Sequence, residues 1–317
     1  LSMDLRTEEG KEVLRELVKV SDVLLQNFRP GTIEAMGFGY DVLSELNPRI
    51  IMVNASAYGQ FGPYSEKIGY GPVGECISGV TMTIGEEGWP PVQARVSLID
   101  RTTALHAAVG VLSALRERDS SGLGQTIDVC LADSGYSYTE IPVSAYVGSG
   151  IEPKRGEGGG APPSGIYPCK DGHVLITAGD QHQWHRVCNA LGRPDWLEDP
   201  RFTTRSERAK NRGAVDEAVR EVLSTKTPPE AVEHFTRHDV TIAAVNTIRM
   251  AAEDPHPWER GIIVEVPDFR AGTIHVNGDY WHMSRTPAVI GSLPAVGEHN
   301  EEVLSGILGY SEERISE

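Results

Sequence analysis

Ile50-Ile51-Met52-Val53-Asn54-Ala55-Ser56-Ala57-Tyr58-Gly59-Gln60-Phe61-Gly62-Pro63-Tyr64 is the stretch that decides the architecture. A continuous apolar run such as 50–53 is the pattern of a strand covered on both faces, as the strands of parallel sheets are. The long glycine-containing loop after it stands at the strand's C-terminal end, where such loops commonly carry function. Working outward, residues 8–20 place Val13, Leu14, Leu17 and Val20 at helical spacing, and Val23-Leu24-Leu25-Gln26 reads as a strand that ends in the turn Asn27-Phe28-Arg29-Pro30-Gly31. A helix at about 41–46 leads into the central run, a helix-like stretch follows near 70–84, and Thr126-Ile127-Asp128-Val129-Cys130-Leu131 reads as one more strand. Leu1-Ser2-Met3-Asp4-Leu5 has the look of a strand already in progress; without an initiating Met, it suggests that upstream sequence is missing.

Residues 91–112 add a second unit. They read as a strand-like segment ending at Asp100, then a helix whose Leu105, Ala108, Val109, Leu112 and Leu115 recur at intervals of three and four, the spacing of one buried face. Asp100 then has two readings. One is a helix N-cap whose carboxylate accepts backbone N–H bonds. The other is a catalytic carboxylate at the mouth of an α/β sheet, where ligand and active-site groups collect.

The totals narrow the function classes. At 317 residues the chain can form one large or two moderate domains. It carries 29 Lys and Arg against 45 Asp and Glu, a formal net charge of −16, with no basic run, which disfavours nucleic acid and anionic membranes as partners. No apolar run approaches the roughly 20 residues of a membrane span. Cys76, Cys130, Cys169 and Cys188 lie far apart with no CxxC pair, which points to reduced thiols in a cytoplasmic protein. His182 and His185 sit at i and i+3 without a marked third ligand, so no metal is expected. No phosphate-binding or dinucleotide fingerprint occurs.

From about 147 the character changes to a Gly- and Pro-punctuated linker running through Gly156-Glu157-Gly158-Gly159-Gly160. Lys170-Asp171-Gly172 between two apolar runs signals a hairpin. Helices follow at about 181–191, 212–224 and 228–238, strands near 240–245, 262–266 and 272–276, and a last helix at about 298–308. Four segments result: a large α/β domain over 1–146, a linker over 147–165, a smaller α+β domain over 166–255, and a C-terminal segment, 256–317, that returns to the first.

Several of these motifs, in this order, resemble the class III CoA-transferase family, which also contains the α-methylacyl-CoA racemases. The residues that carry the resemblance are Asn27-Phe28-Arg29-Pro30-Gly31, Gly59-Gln60-Phe61-Gly62-Pro63-Tyr64, Gly69-Tyr70, Asp100 with its Ala-rich helix, Gly122-Leu123-Gly124-Gln125 before Asp128-Val129, the glycine loop 156–160 and Gly297-Glu298-His299-Asn300. It covers essentially the whole chain, apart from the family's opening strand, helix and strand. It implies a Rossmann-like large domain with a parallel sheet, a smaller α+β domain and an interlocked homodimer. It further implies acyl-CoA and small carboxylic acids as substrates, with coenzyme A carried as the thioester and no metal.

The resemblance also assigns roles. Asp100 is the nucleophile that opens an acyl-CoA thioester, and Tyr70 lines the site near it. The racemases carry a histidine where Tyr70 stands, and a phenol is a poor acid/base near neutral pH, which disfavours the racemase alternative. Gly158 and Gly159 belong to a loop that shields the intermediate from water, or to a plain linker. Asn27 and Phe28 contact CoA, and Arg29 beside them serves a phosphate or the turn. Met36 stands by the adenine or in the core; Lys67 faces a CoA phosphate or solvent. A non-catalytic or partner-dependent subunit is a further alternative.

Overall fold

The computed structural model describes residues 1–156 and 160–316, with no description of the Ser316 side chain. It is a mixed α/β fold that divides into two compact units, Leu1–Glu157 with Pro294–Glu317, and Gly158–Leu293. In the first unit, α1 (Glu8–Val20), β1 (Val23–Gln26), α2 (Thr32–Ala35), α3 (Tyr40–Leu46) and β2 (Ile51–Ser56) follow one another. Then come α4 (Gly71–Ile77), α5 (Val80–Thr83), α6 (Leu98–Ser121), β3 (Thr126–Cys130) and α7 (Leu131–Ser149).

The three strands form a parallel sheet in the order β1-β2-β3, with Leu24 opposite Met52 and Val53 opposite Ile127. Ile51, Met52 and Val53 are fully buried on the middle strand, as their unbroken apolar run requires. On one side Leu14, Val18, Ile33, Phe38, Leu43, Ile50 and Met52 make a common core. Thr7 caps α1 by accepting from the Gly10 N–H.

The second unit holds the hairpin β4 (Ser164–Cys169) and β5 (Gly172–Thr177), joined through Asp171 at φ 65°. The helices α8 (Trp184–Ala190), α9 (Arg205–Lys210), α10 (Arg212–Leu223) and α11 (Pro228–Thr236) follow, and β6 (Ile242–Ala244) adds to β5. Their core is built on Trp184, Trp196, Phe202, Val215, Val219 and Phe235. Into it projects Arg208, fully buried, bonded to the carbonyls of Phe202 and Gly179 and to Gln181 Oε1. A separate hairpin, β7 (Ile263–Asp268) and β8 (Gly272–Asn277), precedes the return to the first unit at Pro294.

Four expectations fail, each for a local reason. Residues 1–5 are not a strand: Ser2 exchanges its backbone N–H and carbonyl with the Asn300 side chain rather than with a sheet edge. The segment before Asp100 is not a strand either, because Arg95 at φ 59° breaks the extended backbone that a strand needs. The helix near 70–84 divides into α4 and α5 at Gly79, whose φ is 83°. Finally, α7 continues to Ser149, past the expected start of a linker at 147, and ends at Gly150 in the left-handed conformation.

The largest correction concerns α6. Its buried residues are Ile99, Thr103, Ala107, Ala114 and Arg118, whereas Leu105, Val109 and Leu112 are 51%, 62% and 67% exposed. The apolar stripe is real, but the face turned to the sheet is the small-residue one. Gly110 shows why: a Cβ there would stand 3.1 Å from Ile127 Cγ2, so the helix crosses β3 at close range.

Candidate active site

Loops at the C-terminal ends of the parallel strands build the site, as in other open α/β sheets. After β1, buried Gln26 donates to Asn54 Oδ1 at 2.8 Å and accepts the Phe28 N–H at 2.7 Å. These bonds shape the turn that presents Asn27, Phe28 and Arg29, all exposed, before Gly31 at φ 83° opens α2. Arg29 Nη2 donates to the Glu66 carbonyl at 3.0 Å, tying this turn to the loop after β2. Arg29, Pro30, Gly31, Thr32, Ala35 and Glu66 line an open groove. Beside Glu66, the Lys67 ammonium sits 3.7 Å over the Tyr64 ring, so it is held rather than simply solvated. Met36 is half-buried and packs against the Leu14 to Met52 core.

The loop after β2 is fixed by a residue whose role the sequence pattern did not disclose. Asp128 on β3 accepts the Gln60 N–H at 2.8 Å, and its carboxylate lies close under Gly59, which adopts φ 89°. Burial pushes the Asp128 carboxyl above the usual aspartate value, and the Gln60 N–H bond opposes that shift. The loop then runs to Tyr70, the residue before α4, which is 74% exposed and so is not a core aromatic.

Asp100 stands in the first turn of α6, behind Ser97 at the N-cap, so it is not the cap itself. Its carboxylate lies against the start of α4: a Cβ at Gly71 would be 2.7 Å from both Asp100 Cγ and Oδ1. The acid is exposed and, among the described residues, has no hydrogen-bond partner. The fold therefore brings Asp100 against Gly71 from 29 residues away and leaves its oxygens without a hydrogen-bond partner among the described residues. At the other end of the same helix, Arg118 donates to Asp22 Oδ1 at 2.7 Å and to the Arg49 carbonyl at 2.9 Å, both just ahead of strand starts. This anchoring runs α6 against the strand direction and puts its first turn at the edge where the parallel strands end.

His106, six residues further along α6, bonds Ser134 Oγ through Nδ1 at 3.0 Å. Gly158 and Gly159 lie outside the described residues. Among the described residues no three His, Cys, Asp or Glu side chains gather in a metal-binding group, and no helix is long and apolar enough to cross a membrane.

The family model for CoA-transferase family III matches residues 1–300. The chain belongs to CoA-transferase family III. Among curated relatives of this family III protein, the succinyl-CoA–D-citramalate CoA-transferase of Chloroflexus aurantiacus is 33% identical, over 100% of this chain and 80% of the relative. The succinyl-CoA–L-malate CoA-transferase beta subunit of the same organism is 35% identical over the same shares. A formyl-CoA:oxalate CoA-transferase of Rhodopseudomonas palustris is 29% identical, again over 100% and 80%. Among solved structures, a CAIB/BAIF family protein from Brucella suis superposes with a TM-score of 0.83 at 27% identity, covering 97% of this chain and 81% of the other.

Proposed function

We propose that this family III protein transfers coenzyme A from an acyl-CoA donor to a carboxylic acid acceptor, with Asp100 as the covalent nucleophile. The observation that carries the reading is the position of the Asp100 carboxylate, unpaired, against Gly71, the residue that follows Tyr70.

An Asp100 oxygen attacks the thioester carbonyl carbon; the C–S bond breaks and leaves an aspartyl mixed anhydride and CoA thiolate. The thiolate then attacks the Asp100 carbonyl, releasing the donor's carboxylate and forming an aspartyl-CoA thioester. The acceptor carboxylate repeats the sequence in reverse and departs as its CoA thioester, restoring Asp100. A carboxylate is ionised at neutral pH and needs no general base, so the protein's contribution is placement and exclusion of water. Gly158 and Gly159 fit the second task, since a glycine loop can come close to the anhydride and withdraw.

Asn27, Phe28 and Arg29 are assigned to CoA, with Arg29 and Lys67 as the cations that meet its phosphates along the groove beside Glu66. The relatives named for succinyl-CoA donors and four- or five-carbon hydroxydicarboxylate acceptors make those the first substrates to try. The outward apolar faces of α6 and α7, including Leu112 and Ile141, support a homodimer as the working form.

Intact-protein mass spectrometry after mixing with a panel of acyl-CoAs, succinyl-CoA first, with hydroxylamine trapping, tests the reading. An adduct formed by the wild type and lost in Asp100→Ala is expected; absence of any adduct in the wild type would sink it.

A further inference from the structure

The first turn of α6 lacks a cap of its own. Ser97 makes no side-chain cap bond. An acid at the third helical position often reaches back to the N-cap N–H, yet Asp100 does not do so. Something else must hold this turn in place if its carboxylate is to act from a fixed point.

Three contacts from α4 supply the hold. At its start, Gly71 receives the Asp100 carboxylate; one turn on, a Cβ at Gly74 would stand 3.0 Å from Ile99 Cγ2. Next to Gly74, Glu75 Oε2 accepts the Ala94 N–H at 3.3 Å. Glu75 is 2% exposed, and burying a carboxylate is unfavourable unless a specific bond compensates it. The residue after Ala94 is Arg95, at φ 59°, a left-handed conformation that a non-glycine residue keeps only where its surroundings impose it.

We propose that Glu75 is a positioning residue for Asp100. Its buried carboxylate fixes Ala94 on α4, holds the left-handed kink at Arg95, and thereby sets where the uncapped first turn of α6 begins. The inference rests on the reading of Asp100 as nucleophile. The residue itself touches no reacting atom; it acts through the segment 94–100.

Two variants separate the bond from the packing. Glu75→Gln keeps an oxygen that can accept the Ala94 N–H, and Glu75→Met keeps the volume but no strong acceptor. With succinyl-CoA as the probe, E75Q is expected to form the Asp100 adduct within about threefold of the wild-type rate. E75M is expected to lose between about ten- and a hundredfold in that rate with KM unchanged, as small displacements of a reacting group do. Trypsin cleavage after Arg95 gives a readout that needs no turnover: faster in E75M, unchanged in E75Q. Wild-type acylation by E75M, or an E75Q as impaired as E75M, would overturn the proposal. If the wild type forms no adduct at all, the transferase reading fails, and with it the positioning role. Cleavage at Arg95 then decides the hold alone, and equal rates in all three proteins would refute it.

Discussion

The carboxylate of Asp100 fills the space that a side chain at residue 71 would need, with Cγ and Oδ1 both 2.7 Å from where a Cβ on Gly71 would sit. Gly71 is thus required by the acid opposite it and not by its own backbone, since it is not among the glycines with positive φ.

Gly71→Ala is therefore expected to fold and to displace Asp100. The rate of adduct formation should fall on the order of a hundredfold, the scale on which about 1 Å of misplacement acts. A thermal melt close to wild type, beside a slow acylation by mass spectrometry, is the result that fits; normal acylation would contradict it.

Asp128 carries a pH signature. Burial raises its carboxyl above the 3.8 of an ordinary aspartate, so the folded protein holds this proton more tightly than the unfolded chain. Its contribution to stability is greatest at acid pH and is lost as pH rises through the raised value. Asp128→Asn keeps an oxygen for the Gln60 N–H and should flatten this dependence in melts taken across the acid range. Asp128→Ala leaves that N–H without its acceptor and should cost about 1–3 kcal/mol at neutral pH.

The four cysteines are all free thiols, and they differ in environment. Cys76 is exposed, whereas burial pushes Cys130 up to about 11 and Cys188 up to about 12. Labelling of the native protein with an aromatic disulfide reagent near pH 8 should consume Cys76 first. Cys130 and Cys188 should react only on unfolding, which peptide mapping of the labelled protein would show.

The outward stripe on α6 makes the oligomeric state testable. Val109→Asp with Leu112→Asp places two charges on residues that are 62% and 67% exposed in the single chain. Folding should be unaffected, while a dimeric wild type should shift to monomer in sedimentation velocity; a wild type that is already monomeric would remove the homodimer from the proposed function.

Local pattern served well wherever one residue type dictated one environment. The unbroken Ile50–Val53 run reads as a covered strand and supplies most of the start of β2, and Lys170-Asp171-Gly172 reads as the turn that joins β4 and β5. Pattern misled at α6, because hydrophobic spacing identifies an apolar face without saying what covers it, and here Ala107, Ala114 and Thr103 do the packing on the sheet side. Around Asp100 the motif was visible but its support was not. Gly71, Glu75 and Asp128 act across separations of 29, 19 and 68 residues, on Asp100, Ala94 and Gln60, and no periodicity within a window registers such pairs. The same limit applies to Arg118, whose partners Asp22 and Arg49 lie 96 and 69 residues away.

That arginine gives α6 the mechanics of a lever. From Arg118 to Asp100 the helix rises over eighteen residues, about 27 Å at 1.5 Å each. A tilt of only about 2° around the arginine end would sweep the carboxylate through about 1 Å, enough by the same scale to silence the chemistry. A rod this long needs clamping at both ends, the fulcrum at the strand starts and the tip on α4. Substitutions at Asp22 or Arg118, far from any substrate, should then register as losses of turnover.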